Sequence, residues 1–331
     1  MNIILKGIEK SFGDQQVIPS LDLVLDSGKF TTLLDPSNCG KTTLLRMIAG
    51  LETPDRGEIW LGETLVFSSE THINAAPEKR GLGFVFQDFS LWPHMTVFEN
   101  VAFGLRARNE KNNLKNKVGA ALDAVRLGEY AARYPHELSG GQQQRVAFAR
   151  ALVIEPDCIL CDEPLSALDA VLRDEMRVEL REIAANLGIT TVFVTHDQIE
   201  AMSMSDEIAV MNLGRVEQKG SPEEIYHRPA TPFVARFVGR SNWIGTDRMF
   251  RPEALLLEDS PSGEADNTEE YRARLKSVRF IGNGYELCLD MAPNGDNDSG
   301  QWYAFSSSRV PVGEMPVFVK REAILQFNTS C

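Results

Sequence analysis

Leu138-Ser139-Gly140-Gly141-Gln142 and, further along, Cys161-Asp162-Glu163-Pro164 are the two stretches that decide the fold and chemistry of this chain. A Ser-Gly-Gly turn that opens a helix offers a phosphate its backbone N–H groups, a hydroxyl and the positive end of the helix dipole. The Asp-Glu pair ends an apolar run, so one carboxylate can bind Mg²⁺ while the other activates an attacking water. Either stretch alone is a weak signal, but both in this order indicate chemistry on a bound polyphosphate.

A third motif lies upstream, between a predicted strand at residues 30–34 and a predicted helix at residues 41–49. A phosphate-binding loop requires this strand–loop–helix context. Lys41 is placed to reach the β- and γ-phosphates as a point charge, and the Thr42 hydroxyl to bind Mg²⁺. The residues of this candidate loop are Asp35, Pro36, Ser37, Asn38, Cys39, Gly40, Lys41, Thr42 and Thr43.

The composition excludes several classes of function. The 331 residues carry a net charge of −13, which argues against a nucleic-acid binder held by general phosphate attraction. No stretch approaches the roughly 20 apolar residues that cross a bilayer, so any membrane role must go through a partner. Cys158 and Cys161 have the spacing of a redox pair, but their apolar surroundings predict a buried strand and reduced thiols in a reducing cytoplasm.

The pattern along the chain predicts two domains. Up to Gly239, short apolar strands alternate with amphipathic helices, which indicates an α/β nucleotide-binding domain with a helical subdomain at about residues 98–155. An acidic, turn-rich segment at residues 258–266 and a series of alternating segments follow. Residues 240–331 therefore predict a small all-β domain, a barrel or a sandwich.

With these motifs in place, the first 240 residues resemble the nucleotide-binding subunit of an ABC importer. The tail, with Phe250-Arg251-Pro252-Glu253 at its head, resembles the OB-like, TOBE-type regulatory barrel of importers for maltose, ferric iron and polyamines. The resemblance implies ATP and Mg²⁺ as ligands and a head-to-tail homodimer on the cytoplasmic face of the inner membrane. It also implies integral membrane permease subunits and, indirectly, an extracytoplasmic solute-binding protein. Among solutes it favours ferric iron, with phosphonate and polyamines next.

The resemblance also implies roles for single residues. Asp162 matches the Mg²⁺ carboxylate and Glu163 the general base. His196 matches the histidine that contacts the γ-phosphate, and Gln87 the glutamine that senses Mg²⁺ and the attacking water. Ser139, Gly140, Gly141 and Gln142 match the signature that faces the nucleotide of the other subunit, and Asp169 belongs to the loop that links the two sites.

Two further positions have competing interpretations. Phe12 lies where the family places an aromatic ring that stacks on adenine, but it is equally consistent with a core residue at a strand end. The segment from Phe89 to Met95 is unusually apolar for a loop. It predicts either a docking surface for the membrane subunit or ordinary core packing.

The phosphate loop departs from the family pattern at Asp35 and Asn38, where glycine is usual. Asn38 is the milder change, because asparagine tolerates left-handed backbone angles. A carboxylate at Asp35 about 6 Å from a phosphate charge would repel it by roughly 3 kcal/mol at an effective dielectric constant of 20. The effect would be much smaller if the side chain turned to water.

These departures motivate a rival hypothesis, a nucleotide-poor, non-catalytic regulatory subunit. Gln87, Ser139, Glu163 and His196, all of which match the family, count against it. A soluble ABC protein that acts on DNA or ribosomes is disfavoured by the acidic charge and by the all-β tail.

Overall fold

The computed structural model describes residues 1–36, 40–110, 112–257, 267–291 and 300–327. The chain forms two compact units, residues 1–222 and residues 223–331. Ser37, Asn38 and Cys39 of the candidate phosphate loop, and the acidic segment at residues 258–266, lie outside the described residues.

The first unit contains strands and helices whose bounds follow the sequence prediction closely around the candidate motifs. In chain order the strands are β1 (Ile3–Phe12), β2 (Gln15–Leu25), β3 (Phe30–Leu34), β4 (Arg56–Leu61), β5 (Thr64–Ser68), β6 (Ile73–Asn74), β7 (Leu82–Val85), β8 (Cys158–Asp162), β9 (Thr190–Thr195), β10 (Glu207–Asn212) and β11 (Arg215–Gly220). The helices are α1 (Lys41–Ala49), α2 (Val97–Ala107), α3 (Leu114–Ala124), α4 (Gly140–Leu152), α5 (Ala170–Leu187) and α6 (Gln198–Met204).

A six-stranded sheet carries the candidate site, with strand order β11-β10-β3-β9-β8-β7. All neighbours in it are parallel except β10 and β11. Every residue of β3, β8 and β9 is buried, as expected for parallel strands that are covered on both faces. In the register of this sheet Leu34 pairs with Thr195, and Asp162 with Val194. The residues that follow these strands therefore meet at one edge.

A second, antiparallel sheet was not foreseen from the sequence, which predicted one α/β sheet for this region. Its strand order is β2-β1-β4-β5-β6. The two sheets and α1 share a core, to which Ile8, Leu45 and Val194 each contribute from a different element. β1 is hard to recognise, because register shifts interrupt its pairing with β2 and break the simple alternation of buried and exposed residues.

The helices α2, α3 and α4 of the helical subdomain share one core with α5 and with buried residues of the main sheet. The helix α2 begins with a capping box, in which the Thr96 hydroxyl accepts from the backbone N–H of Glu99 and the Glu99 carboxylate accepts from the N–H of Thr96. These three helices lie almost wholly within the predicted subdomain at about residues 98–155, whose bounds stay a prediction.

The second unit contains two short helices and an all-β region, as predicted. The helices are α7 (Pro222–His227), which begins at the last residue of the first unit, and α8 (Pro232–Phe237). A three-stranded sheet consists of β12 (Asn242–Ile244), β13 (Arg248–Phe250) and β19 (Leu325–Gln326). A five-stranded sheet has the order β14-β18-β15-β16-β17, formed by β14 (Leu255–Leu256), β15 (Thr268–Phe280), β16 (Tyr285–Met291), β17 (Gln301–Ser306) and β18 (Glu314–Lys320). Both sheets contribute to one core around Trp302.

A buried arginine explains why the compact units divide before α7 and not after α8. The guanidinium of Arg251 donates to the backbone carbonyls of Tyr226, Ala235 and Arg240, and its cation lies 4.1 Å from the centroid of the Tyr226 ring. Burial lowers the pKa of Arg251. These contacts join the two short helices to the all-β region. The boundary after Gly239 stays a prediction for the functional domains.

Among the described helices, none combines the length and the apolar character needed to cross a membrane.

Removal of the residues after Gly239 tests the role of Arg251. We expect the amide protons of α7 and α8 to exchange much faster in the truncated chain, because the Arg251 guanidinium that donates to carbonyls of both helices is lost. The strand β3 and the helix α1 should keep their protection. Arg251→Ala in the full chain should produce the same local increase, and Arg248→Ala, which breaks an ion pair with Glu269 at 3.3 Å, should not. Unchanged protection in the truncated chain would show that the helices fold without the all-β region.

Candidate nucleotide-binding site

A cavity of about 280 Å³ lies where β3 leads into α1. Its walls bring together residues that are far apart in the sequence: Phe12, Val17, Gly40, Lys41, Thr42, Thr43 and Glu163. Larger hollows of about 740 and 710 Å³ lie elsewhere on the chain, and neither includes a predicted site residue. The small cavity is therefore the one that coincides with the chemistry read from the sequence.

The start of α1 forms the floor of this cavity. Gly40 precedes the helix with φ at 91°, a left-handed conformation that glycine adopts freely. A Cβ atom at this position would lie 2.9 Å from Cγ1 of Val17, so a larger residue would not fit without movement. Lys41, Thr42 and Thr43 occupy the first turn, where backbone N–H groups have no partner within the helix. This arrangement is suited to a phosphate group.

Asp35 forms a buried ion pair with Lys41. The Lys41 ammonium donates to the Asp35 carboxylate, and the side chains are 5% and 0% exposed. Burial lowers the pKa of Lys41 to about 8, while the negative charges of Glu163 and Asp162 oppose the shift. Of the two alternatives drawn from the sequence, a carboxylate that faces water is wrong, because the Asp35 side chain is fully buried, and a carboxylate that faces the nucleotide stays a prediction. Asp35 points inward, where the Lys41 ammonium offsets part of the cost of burying its charge.

Thr42 and Asp162 lie side by side at the edge of the sheet. The Thr42 hydroxyl donates to Oδ1 of Asp162 over 2.7 Å, and Nη2 of Arg46 lies 3.8 Å from Oδ2. Burial raises the pKa of Asp162, and the hydrogen bond from Thr42 and the charge of Arg46 oppose this. Carboxylate and hydroxyl oxygens are the ligands that Mg²⁺ prefers, so this donor set fits that ion. No group of three or more acidic, histidine or cysteine residues that could hold a metal occurs among the described residues. Mg²⁺ is commonly bound by one or two protein carboxylates together with substrate phosphates and water, and the Thr42–Asp162 pair fits that pattern.

Glu163 holds its carboxylate in the cavity wall next to His196. Oε2 of Glu163 lies 3.3 Å from Nδ1 of His196, which follows β9 and is largely exposed. Glu163 has a φ of 44°, unusual for a residue other than glycine, and its backbone N–H donates to the carbonyl of Val194 over 3.1 Å. This backbone conformation separates the Glu163 side chain from that of Asp162, so the two adjacent carboxylates lie in different surroundings.

Gln87 is connected to Glu163 through one intermediate. Its side-chain amide donates to the Ser166 hydroxyl over 3.3 Å, and that hydroxyl donates to the Glu163 carbonyl over 2.8 Å. Gln87 follows β7, the neighbour of β8, which explains how it reaches the same edge of the sheet. Gln87 itself is not part of the cavity wall.

Phe12 lines the cavity and is not a core residue. Its side chain is 49% exposed, and the Lys10 ammonium lies 4.9 Å from the centroid of its ring. Lys10 is in turn held by Glu52, 2.7 Å away. Of the two interpretations of Phe12, the exposed ring at the cavity mouth favours the stacking one.

The signature residues are not brought to this cavity within the chain. Ser139 caps α4 through a hydrogen bond from the Gln142 N–H, and the Gln142 side chain accepts from the Ser139 N–H. A Cβ atom on Gly141 would lie 2.8 Å from Cδ1 of Leu172, so Gly141 permits close packing against α5. Asp169 caps α5 by accepting from the Leu172 N–H over 3.0 Å. None of Ser139, Gly140, Gly141, Gln142 or Asp169 belongs to the cavity wall.

Sequence analysis missed Arg150, which lies on the same helix as the signature. Its guanidinium donates to the carbonyls of Phe89 and Ser90 over 2.7 and 2.5 Å and lies 5.2 Å from the centroid of the Trp92 ring. The available signal was an arginine among Val146, Ala147, Ala151 and Leu152 in the apolar second half of α4. Core packing holds for part of the apolar segment, because Phe89 is buried in the core and Leu91 packs against it. The docking surface stays a prediction, and Trp92 is half-buried.

The sequence of this chain is similar to those of known proteins. The family model described as ABC transporter matches residues 18–166. The spermidine/putrescine import ATP-binding protein PotA of Salmonella typhimurium is 54% identical over 266 residues, which cover 80% of this chain and 69% of that protein. PotA of Vibrio cholerae is 54% identical over 241 residues, 72% of this chain and 62% of that protein. The chain thus spans less than two thirds of the Vibrio protein's length.

Solved structures agree with this placement. A dimeric structure of a bacterial ABC transporter cassette matches with a TM-score of 0.57 and 31% identity, and covers 66% of this chain and 98% of the cassette. A dimeric, post-hydrolysis state of the same cassette, bound to ADP and Pi, matches with a TM-score of 0.57 and 30% identity. The fold of the first unit and the similarity to these relatives agree, and the chain belongs to the ABC transporter family.

Proposed function

We propose that this chain is the ATP-hydrolysing motor subunit of an ABC importer. The observation that carries the proposal is the convergence of Lys41, the Thr42–Asp162 pair and the Glu163–His196 pair around one cavity. These groups supply a cation for phosphate, a ligand set that fits Mg²⁺, and a carboxylate beside an imidazole. Phosphoryl transfer to water requires little beyond such positioning and charge neutralisation.

The proposed mechanism assigns one task to each group. Lys41 and the first turn of α1 bind the phosphates. Thr42 and Asp162 would hold Mg²⁺, which would supply charge neutralisation for the polyphosphate. Glu163 accepts the proton of the attacking water, and His196, whose Nδ1 lies 3.3 Å from that carboxylate, contacts the γ-phosphate. Gln87 senses the site through Ser166, and the exposed ring of Phe12 stacks on the adenine.

The proposed active form is a head-to-tail homodimer in which each nucleotide contacts two chains. The signature around Ser139 is not part of the cavity wall of its own chain, so it is available to complete the site of a second copy. The related cassette was solved as a dimer, which supports this arrangement. Closure of the dimer on ATP would move permease subunits that dock on the half-buried surface around Trp92. The chain would then sit peripherally on the cytoplasmic face of the membrane.

We propose polyamines as the transported solutes, in place of the ferric iron favoured by the sequence motifs. The relatives from Salmonella and Vibrio are named for spermidine and putrescine import. A motor subunit does not touch the solute, so no residue of this chain distinguished iron from polyamine. The similarity along most of the chain is the stronger guide.

The rival hypothesis, a non-catalytic regulatory subunit, rests on Asp35 and Asn38. The structure gives Asp35 a partner inside the protein, and Glu163 and His196 lie together as catalysis requires. Steady-state phosphate release from the purified protein with Mg-ATP separates the two hypotheses. Nucleotide-dependent release supports the motor, and its absence supports the regulatory subunit.

Glu163→Gln tests the assignment of the general base. We expect nucleotide affinity to stay within about twofold and turnover to fall by a factor of about 100 or more, since only the proton acceptor is lost. ATP-dependent dimers should accumulate and be visible by size-exclusion chromatography. The control Glu182→Gln alters an exposed residue on α5 and should turn over normally. Hydrolysis by Glu163→Gln at the parent rate would remove Glu163 from the mechanism.

The solute is tested in membranes that contain the permease and the solute-binding protein encoded beside this chain. We expect spermidine or putrescine to raise ATP hydrolysis by this chain several-fold, because a loaded binding protein favours closure of the motor dimer. Ferric iron should leave the rate unchanged. Stimulation by ferric iron and not by polyamines would contradict the polyamine proposal and support the ferric iron predicted from the motifs.

A further inference from the structure

Lys41 is not freely available in the empty site, because Asp35 holds its ammonium. Both side chains are almost completely excluded from water, and each neutralises the other at the point where β3 ends and α1 begins. Glycine at position 35 would remove this partner and leave the ammonium under the influence of the negative charges of Glu163 and Asp162. The lysine that Asp35 holds is a residue of the cavity wall.

A polyphosphate and the Asp35 carboxylate compete for the same cation. Separating a buried ion pair is costly, since the carboxylate that stays behind loses its closest positive charge in a medium of low dielectric constant. A nucleotide that binds Lys41 must therefore compensate for the broken pair. This cost differs from simple repulsion between Asp35 and a phosphate, because it depends on a bond that stabilises the empty protein.

We propose that Asp35 sets the nucleotide affinity of this chain by exchange: it holds Lys41 Nζ in the empty site and yields it to the phosphates on binding. The proposal rests on the proposed nucleotide-binding function and adds a residue that lowers affinity without taking part in the chemistry. Exchange stabilises the empty state, so the chain would bind Mg-ATP only when nucleotide is abundant and would release it readily.

If Asp35 and the phosphates exchange Lys41, Asp35→Asn should lower the stability of the empty protein and raise its affinity for nucleotide. Asparagine keeps the shape of the side chain but removes its charge. The melting temperature of the nucleotide-free protein should fall by about 4 to 8 °C, because the ion pair is lost. The affinity for nucleotide should rise by about tenfold to a hundredfold, because Lys41 is no longer engaged. If Asp35 only repelled the phosphates, Asp35→Asn would raise the affinity without lowering the melting temperature. If Asp35 were purely structural, the variant would lower the melting temperature without raising the affinity.

The test combines thermal melting of the nucleotide-free full chain with titration by trinitrophenyl-ATP in the presence of Mg²⁺. Glu179→Gln is the matched control, because it breaks a partly buried ion pair with Arg145, 2.7 Å away, outside the cavity. This control should lower the melting temperature and leave the affinity within about twofold. Asp35→Gly offers the same comparison should the asparagine variant not fold.

A double-mutant cycle in the melting temperature shows whether the pair exists. Asp35→Asn and Lys41→Ala should each destabilise the nucleotide-free protein, and the double variant should be no less stable than the worse single variant. Additive losses would overturn the proposal, as would equal nucleotide affinities of the parent and Asp35→Asn. If neither protein binds the analogue, the proposed nucleotide function fails and the exchange fails with it. Equal binding by both overturns the exchange alone.

Discussion

The register of three parallel strands is the constraint on which the candidate site depends. Leu34 of β3 pairs with Thr195 of β9, and Asp162 of β8 pairs with Val194 of the same strand. Parallel strands present their carboxyl ends at one edge of a sheet, so the residues that follow them meet there. A shift of one residue in this register would turn each side chain to the opposite face. The complete burial of β3, β8 and β9 holds the register in place.

Charge balance is the second requirement at this edge. Lys41, Asp35 and Asp162 are all buried, and Glu163 stands beside them at the cavity wall. The direct Asp35–Lys41 pair and the hydrogen bond from Thr42 to Asp162 stabilise these groups while no phosphate is bound. Binding of Mg-ATP would replace internal partners with external ones. The affinity of the site therefore depends on how stable the empty arrangement is.

Local motifs made the chemistry of the site readable from the sequence, since Lys41, Asp162, Glu163 and His196 each follow a recognisable strand or loop. The features that depend on contacts between residues distant in sequence could not be predicted. The antiparallel sheet depends on partners distant in sequence, and the position of the Asp35 side chain depends on an ion pair that only the folded chain forms. Arg251 likewise joins α7 and α8 to the all-β region by donating to backbone carbonyls. Every residue has a backbone carbonyl, so the sequence does not indicate which ones the arginine contacts.

Complementation between two inactive variants tests most directly whether the catalytic site is shared by two chains. Lys41→Ala disables the phosphate loop, and Ser139→Arg disables the signature. In a mixed head-to-tail dimer, the intact loop of one chain faces the intact signature of the other, so one complete site forms. The account predicts that each variant alone is inactive and that an equimolar mixture recovers a substantial part of the parent ATPase rate. A mixture as inactive as its components, although mixed dimers form, would contradict it.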